Sequence, residues 1–346
     1  MHDIIAEDAK AIAASAIDWS KFENRMVLIA GATGYVPQNF VHAFLQRNDL
    51  YGSHIKVLAL CRSRERAQER FGEYLGREDF LLILQDVCEP VGYEGKIDYI
   101  IDAAGPAAQK ERGLYKDIFL ANVDGCHNLL KLAQKTGAVL LYVSSVDVYG
   151  HLLEAVRPTE EMAGSLDPLE PRNVYACAKR AAETLCLCYK EAGVDCRIVR
   201  PVQILGGGIA LDDGRLHIDF ISQMLAKRKI SLTGDGSPRR SFLYVVDAII
   251  GMLIILAEGK AGEAYNLSWE ENESSVIELA KLMAGLAEGE ISIEYDLTHR
   301  KDPAVTKAVN QVVSDSGKIK ALGWQAKYSL LETVRRMMAC YGVCNI

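Results

Sequence analysis

The sequence predicts an α/β fold, a doubly wound parallel sheet with a smaller lobe in the C-terminal third. Short apolar runs, such as residues 26–30, alternate with longer amphipathic segments. This alternation is typical of buried parallel strands joined by right-handed helical crossovers. A glycine-rich turn, Gly31-Ala-Thr-Gly34, follows the first run. Because ligands bind at the carboxyl ends of the strands in such folds, we expect the functional residues to gather there.

The elements follow in order from the N-terminus. Residues 3–17 carry apolar side chains at helical spacing and predict a short amphipathic helix. Further along, the pattern predicts strands at residues 26–30, 55–60, 80–84, 99–101, 138–144 and 196–199, and helices at residues 37–47, 64–75, 114–135, 245–257 and 275–286. We therefore divide the chain into an N-terminal helical extension, a sheet domain and a mainly separate lobe with some segments able to return to the sheet: residues 1–25, 26–200 and 201–346.

Composition excludes several classes of protein. The chain has 346 residues, of which 49% are hydrophobic and 25% charged, and a formal net charge of −7. This charge argues against nucleic acid as a partner. No apolar stretch reaches the roughly 18 residues needed to cross a membrane. The N-terminus lacks a basic-then-apolar export signal, so we expect a cytoplasmic protein. The nine cysteines form no Cys-x-x-Cys pair, and we interpret them as reduced, packed thiols.

The glycine turn predicts a dinucleotide-binding domain of the Rossmann type over residues 26–200. Gly31 and Gly34 permit a tight turn and close approach of a pyrophosphate, which the N-terminus of the next helix stabilises with free N–H groups. Pro37 stands where a third glycine is usual. Proline is tolerated in the first turn of a helix, so we expect the loop to survive with the helix slightly displaced.

The cofactor's adenosine half is expected near Arg62 and Asp86. Dinucleotide enzymes usually end the second strand with an acid that holds the ribose diol, but this chain has Arg62 there. An arginine can instead neutralise a ribose 2′-phosphate. Asp86, after the third strand, is placed to accept a hydrogen bond from the adenine amine. NAD and NADP both stay open.

Tyr175 and Lys179 are the most informative pair in the chain. Residues four apart share one helix face. An ammonium one turn from a phenol is expected to lower the pKa of the phenol, so that Tyr175 exchanges a proton with a substrate hydroxyl near neutral pH. Ser145, at a separate strand end, is placed to bind the same hydroxyl.

In their order along the chain, these motifs resemble those of extended short-chain dehydrogenases/reductases, in particular the NAD-dependent nucleotide-sugar epimerases and dehydratases. Arg200-Pro201, Asp213-Gly214-Arg215 and Arg240-Ser241-Phe242 extend the likeness to about nine-tenths of the chain. Its nearest branches look like UDP-glucuronate decarboxylase and dTDP-glucose 4,6-dehydratase. The resemblance implies these cofactor-binding residues: Gly31, Thr33, Gly34, Tyr35, Val36, Arg62, Asp86, Val87, Ala103, Ala104, Gly105, Asn122, Ser144, Tyr175, Lys179 and Pro201.

The resemblance also implies a transient oxidation of a nucleotide-diphosphate sugar. The nicotinamide, retained in its oxidised form, takes hydride from C4 while Tyr175 removes the O4 proton, Lys179 binds the nicotinamide ribose and Ser145 holds O4. Dehydratases of the family carry an acid pair at the positions of Val146 and Asp147, whereas decarboxylases keep only the second acid. Here Val146 cannot donate a proton. Asp147 is therefore the candidate base at C5.

Further residues are assigned to the substrate by the same likeness. Arg215 and Arg240 are candidate clamps for the diphosphate, because guanidinium groups match phosphate oxygens. Gln203 stands where the family commonly has a diphosphate-contacting asparagine, and Asp102 replaces a frequent histidine. No metal site is expected, because the isolated histidines show no metal-ligand spacing: His42, His127 and His217.

Two other functions and one assembly stay open. An NADPH-dependent reductase of a nucleotide-linked keto sugar is favoured by Arg62, and a catalytically silent dinucleotide-sensing or scaffold protein is disfavoured by the intact Ser145, Tyr175 and Lys179. The family likeness suggests a homodimer through the helices at residues 114–135 and 175–192. Four leucines there could belong to that interface or to the core: Leu129, Leu132, Leu185 and Leu187.

Overall fold

The computed structural model describes residues 2–105, 115–152, 156–232, 234–295 and 313–345. Its centre is a parallel sheet of seven strands, in the order β10-β6-β5-β4-β1-β2-β3. The sheet strands are β1 Met26–Ala30, β2 Lys56–Cys61, β3 Phe80–Leu84, β4 Tyr99–Asp102, β5 Val139–Val143, β6 Cys196–Pro201 and β10 Ala264–Leu267. The predicted doubly wound α/β fold is confirmed.

Helices cover both faces of this sheet, and two separate apolar clusters of buried side chains lie against it. In chain order the described helices are α1 Asp3–Ala13, α2 Tyr35–Tyr51, α3 Arg64–Phe71, α4 Tyr115–Thr136, α5 Val174–Glu191, α6 Leu216–Lys227, α7 Val245–Glu258, α8 Val276–Leu286, α9 Gly317–Lys320 and α10 Leu330–Ala339. Side-chain caps fix several starts: Ser63 accepts from the N–H of Arg66, and Ser275 forms a capping box with Glu278.

The C-terminal part of the chain builds two small sheets. One joins β11 Glu273–Ser275, β9 Arg239–Tyr244 and β7 Gln203–Leu205, and the other pairs β12 Ser292–Tyr295 with β8 Lys229–Leu232. Strand β10 returns to the main sheet beside β6. The seventh strand of the main sheet therefore comes from residues that the sequence assigned to the smaller lobe. The sequence did not reveal it, because Ala264-Tyr-Asn-Leu267 is too short and too polar to read as a buried strand.

The N-terminal helix α1 is tied to the C-terminal half by a buried carboxylate. Asp8 is 1% exposed and accepts hydrogen bonds from the Tyr244 hydroxyl at 2.7 Å and from an Arg336 nitrogen at 2.9 Å. Arg336 also donates to the Tyr244 hydroxyl at 3.1 Å. Because a buried carboxylate is tolerated only when paired and hydrogen-bonded, this triad fixes α1 against the end of β9.

Two general features bear on function. In the parts of the chain that are described, no helix is long and apolar enough to span a membrane. Within the same residues, no cluster of three or more histidine, cysteine, aspartate or glutamate side chains has the geometry of a metal site. All nine cysteines are free thiols, four of them at least partly exposed or near the surface: Cys88, Cys177, Cys188 and Cys340.

Candidate active site

The glycine turn between β1 and α2 has the geometry that a diphosphate requires. Gly31 has φ +70°, and a Cβ there would come within 2.9 Å of the Ala104 Cα. Gly34 is the N-cap of α2 and carries no side-chain cap. The first N–H groups of the helix, at Tyr35 and Val36, have no partner within the helix and are of the kind that bind an anion. The helix forms around Pro37 as expected, with the N–H of Gln38 bonded to the Gly34 oxygen at 3.1 Å.

The neighbouring strand ends complete a cradle for a dinucleotide. Gly105, after β4, has φ +143°, and a Cβ there would overlap the Asn122 side chain at 2.6 Å. Asn122 is 1% exposed, and its Oδ1 has no hydrogen-bond partner among the described residues. A buried carbonyl oxygen without a partner is rare in folded proteins. Its presence beside the glycine turn fits a bound polar group, so these residues suit a dinucleotide.

Arg62 and Asp86 lie together at the far end of this cradle. The Arg62 Nη1 is 3.5 Å from the Asp86 Oδ2, and the arginine side chain is 72% exposed. Asp86 also accepts from the N–H of Cys88 at 2.9 Å, and these contacts hold the pKa of its carboxyl below the usual range. Val87 is buried and packs against Gly125 of α4. Both residues assigned to the adenosine therefore occupy one edge of the cradle.

Three predicted catalytic side chains converge at the carboxyl edge of the sheet. Tyr175 lies in the first turn of α5, and its hydroxyl interacts with that of Ser145, which follows β5. The Ser145 Oγ accepts from the N–H of Asp147 at 3.1 Å. The charge of Asp147 in turn acts on the Tyr175 phenol. A hydroxyl, a phenol and a carboxylate are thereby gathered around one point.

Lys179 lies one turn below Tyr175 and is 4% exposed. Its Nζ donates to the Val143 carbonyl at 2.7 Å and lies 4.7 Å from the centre of the Tyr142 ring and 5.7 Å from that of Tyr175. Burial lowers the pKa of the lysine to about 8, against the charge of Asp102, which raises it. The ammonium therefore sits below the phenol on the predicted helix face.

The sequence predicted that Lys179 lowers the pKa of Tyr175, but in the structure the pKa of Tyr175 is raised. Burial raises the pKa of the phenol, the charge of Asp147 raises it further, and the Ser145 hydroxyl and Arg215 oppose the rise. The lysine's charge is directed at the Val143 carbonyl and the Tyr142 ring instead. Spacing on a helix face places two side chains near each other but does not determine where their polar atoms point.

A buried hydrogen-bond network behind these residues was not predicted from the sequence. Ser144, assigned to the cofactor, directs its hydroxyl at Glu183, 2.6 Å away. Arg200 binds both oxygens of the same carboxylate, at 2.9 and 2.7 Å, and donates to the Tyr149 hydroxyl at 3.0 Å. Glu183 lies one turn beyond Lys179 on α5. The i+4 spacing of these two residues in the sequence was the signal that could have placed Glu183 on the helix face that lines the site. The network holds β5, β6 and α5 together under the site.

The candidate substrate residues face the same cleft from the smaller lobe. Arg215, before α6, stacks over the Tyr35 ring at 5.4 Å and pairs with Asp213 at 3.2 Å. Arg240, on β9, acts electrostatically on Asp147. The Arg240 Nε and the Gln203 Oε1 are buried without hydrogen-bond partners among the described residues. Buried polar atoms without partners are rare in folded proteins, so each of the two favours a bound polar group.

The electrostatics of Asp147 suit proton transfer. Its side chain reaches the surface of the cleft, but the cleft walls displace water and raise the pKa of the carboxyl, while Arg240 opposes the rise. His217, which the sequence gave no role, is 2% exposed beside Arg215, and neither ring nitrogen has a partner in the described structure. Burial lowers the pKa of its imidazole to about 3, so it stays neutral.

The leucines considered for a homodimer divide between core and surface. Leu129 and Leu132 of α4 are buried, at 0% and 5% exposure, in the core cluster under the sheet. Leu185 of α5 is partly buried against that cluster. Leu187 is 49% exposed. The core reading is therefore correct for the first two, and only Leu187 stays available for an interface.

Comparison with known proteins decides the family. The family description "NAD dependent epimerase/dehydratase family" matches residues 27–268. The chain belongs to this family. It is similar to UDP-glucuronic acid decarboxylase 1 of Arabidopsis thaliana, with 31% identity over 90% of this chain and 69% of the relative. The corresponding Xenopus tropicalis protein is 32% identical over 84% of this chain and 68% of its own length.

Solved structures show the same fold. The epimerase Mth375 from Methanothermobacter thermautotrophicus matches with a TM-score of 0.77 and 22% identity, over 98% of this chain and 95% of that one. The dTDP-glucose 4,6-dehydratase from Bacillus anthracis, in complex with NAD, matches with a TM-score of 0.74 and 21% identity, over 92% and 96%. The family match and the relatives at 31–32% identity, rather than these structures, identify the chain as an enzyme that works with a nicotinamide dinucleotide.

Proposed function

We propose that this enzyme modifies a nucleotide-diphosphate sugar through transient oxidation at C4, and that its overall reaction is decarboxylation of a nucleotide-linked uronic acid. The convergence of Ser145, Tyr175 and Asp147 carries the proposal. These groups supply the two proton transfers that the reaction needs. The named relatives, which are UDP-glucuronic acid decarboxylases at 30–32% identity, support the same choice.

The first step uses the phenol and the hydroxyl. A bound oxidised nicotinamide would supply the acceptor for the C4 hydride and would hold that hydride for the later reduction. Tyr175 takes the proton of the O4 hydroxyl as a general base, and Ser145 holds O4 in place. Tyr175 enters this step as the phenolate and leaves it as the phenol. Lys179, one turn below, is placed to bind the nicotinamide ribose. Its buried ammonium supports this role.

The second step uses Asp147. Oxidation makes C4 a ketone β to the C6 carboxylate, and the C5–C6 bond then breaks with release of carbon dioxide. The electron pair moves onto O4, where the O–H groups of Tyr175 and Ser145 stabilise the enolate. Asp147 delivers a proton to C5, and solvent restores it. Its raised pKa supports this role, because the carboxyl holds its proton to a higher pH than usual.

Dehydration fits the site less well. By the family resemblance, expulsion of the C6 hydroxyl uses an acid at the position of Val146, which here is an aliphatic side chain only 7% exposed. Decarboxylation needs no such acid, because carbon dioxide leaves without a proton. Arg215 and Arg240 supply positive charge for a substrate that carries a diphosphate and a carboxylate.

The proposal is tested by supplying the purified protein with UDP-, dTDP-, GDP- and CDP-linked uronic acids and neutral sugars, and following products by mass spectrometry. We expect one uronic acid to lose the mass of carbon dioxide, without added cofactor, because the dinucleotide stays bound. Loss of water from a neutral sugar, or an isomer of unchanged mass, would contradict decarboxylation. Consumption of NADPH in proportion to product would favour the reductase, the second candidate that Arg62 supports.

Arg62 offers a separate test of cofactor choice. Its exposed guanidinium, 3.5 Å from Asp86, is the candidate partner of a ribose 2′-phosphate. Replacing Arg62 with serine is expected to weaken NADP binding by roughly fivefold, since an exposed charge contact contributes about 1 kcal/mol, and to leave NAD binding nearly unchanged. Titration calorimetry with both dinucleotides measures this. Arg64→Ser on the adjacent helix is the control, and an equal loss for both cofactors would contradict the assignment.

A further inference from the structure

Asp102, which the proposed reaction does not use, is a deeply buried carboxylate at the end of β4. It is 1% exposed, and its Oδ1 accepts from the N–H of Ala104 at 3.3 Å. Its Oδ2 has no hydrogen-bond partner among the described residues. A buried carboxylate with an unpaired oxygen is costly unless a cation lies nearby. The local structure therefore needs a positive charge at this point.

The register of the sheet and the position of Lys179 over a neighbouring ring place the ammonium near Asp102, without a direct ion-pair contact between them. Asp102 lies directly opposite Tyr142 of the adjacent parallel strand β5, and side chains in register on neighbouring strands project to the same face about 5 Å apart. The Lys179 Nζ lies 4.7 Å from the centre of the Tyr142 ring. The ring thus brings carboxylate and ammonium to one buried site, and each charge shifts the pKa of the other group towards its ionised form.

No other anion near Lys179 is left to balance it. Glu183 is already bound by Arg200 through both oxygens, at 2.9 and 2.7 Å. The remaining titratable neighbours are the thiols of Cys126 and Cys186 on α4 and α5, which are ordinarily uncharged at neutral pH. Among the described residues, Asp102 is the carboxylate near Lys179 that no arginine binds; its other neighbours, the Ala104 N–H and the Cys126 thiol, are uncharged groups.

We propose that Asp102 is the buried counter-ion of Lys179, a positioning residue that keeps the ammonium charged in the cofactor site. The charge pair itself does not depend on the proposed reaction, whereas its consequence for turnover does. Burial raises the pKa of Asp102 to about 6 and lowers that of Lys179 to about 8. Both groups are therefore charged between these values, and the lysine loses its charge as the pH rises through about 8.

The first test measures coupling in the absence of cofactor and substrate. Asp102→Asn, Lys179→Met and the double variant are unfolded in urea at neutral pH. Each single substitution leaves one buried charge alone and lowers the unfolding midpoint. We expect the unfolding midpoint of the double variant to lie at no lower urea concentration than that of the less stable single variant, because the second change removes the buried charge that the first left unpaired. If the decreases in the unfolding midpoint of the two single variants add up in the double variant, the pairing is overturned. Asp86→Asn combined with Lys179→Met is the additive control.

The second test measures positioning through pH. Without Asp102, Lys179 loses its proton at lower pH, so the alkaline limit of NAD affinity, followed by calorimetry, is expected to move down by about one pH unit or more in Asp102→Asn. The alkaline limit of kcat should move with it. An unmoved limit of NAD binding would overturn the positioning role even where the urea series shows coupling. Because neither the urea series nor the NAD titration needs a sugar substrate, failure of the proposed decarboxylation would affect only the kcat readout and would leave these two results interpretable.

Discussion

Replacing Tyr175 with phenylalanine is expected to lower turnover by roughly a thousandfold, the range of a lost general acid–base group, while the enzyme still binds NAD. The change removes one oxygen from a half-buried ring in the first turn of α5. That oxygen interacts with the Ser145 hydroxyl and senses the charge of Asp147. The rest of the ring keeps its packing, so the cofactor cradle should be intact. Product formation by mass spectrometry and NAD affinity by calorimetry are measured on the same preparation.

The matched control is Tyr189→Phe on the same helix. Tyr189 packs edge-on against His127 of α4, with the ring centroids 5.8 Å apart, and its hydroxyl has no part in the proposed chemistry. We expect that variant to keep the activity of the unmodified enzyme. Turnover of Tyr175→Phe close to the unmodified rate would remove the phenol from the mechanism, and loss of NAD binding would assign it to the cofactor site instead.

The fold was predictable because its signals are local. Continuous apolar runs in β1, β2 and β5 identify buried strands, and the glycine turn after β1 identifies the edge at which ligands bind. Strand β10 was missed because only its position beside β6 makes it a strand. The link of α1 to Tyr244 through Asp8 was missed for a related reason, since a charged residue inside an amphipathic helix predicts exposure.

The candidate site, like the fold, was predicted from the sequence only in part. Motif spacing brought Ser145, Tyr175 and Lys179 to one edge of the sheet, where the structure places them. Spacing did not reveal that Arg200 would bind Glu183, or that Asp102 would face Lys179 across Tyr142. These pairs depend on strand order and register, which join residues dozens of positions apart. The direction of the Tyr175 pKa shift depends on burial, which spacing does not report.

Replacing Asp147 with asparagine is expected to separate the two halves of the proposed reaction. The amide keeps the shape of the side chain but cannot deliver a proton to C5, so product formation should fall by about a hundredfold or more. Oxidation at C4, which uses Tyr175 and Ser145, should continue. Reduced nicotinamide is then expected to accumulate on the protein after substrate is added, visible by its near-ultraviolet absorbance.

The conservative variant Asp147→Glu keeps a carboxyl group one methylene longer and is expected to retain much of the activity. Because the cleft raises the pKa of Asp147 while Arg240 opposes the rise, Arg240→Met should raise this pKa further and move to higher pH the point above which turnover falls, since Asp147 must carry a proton to deliver one to C5. Product formation by Asp147→Asn at the unmodified rate would contradict a role at C5. Solvent or another group would then protonate C5 after carbon dioxide leaves, and decarboxylation would need from this chain only the C4 chemistry of Ser145, Tyr175 and Lys179.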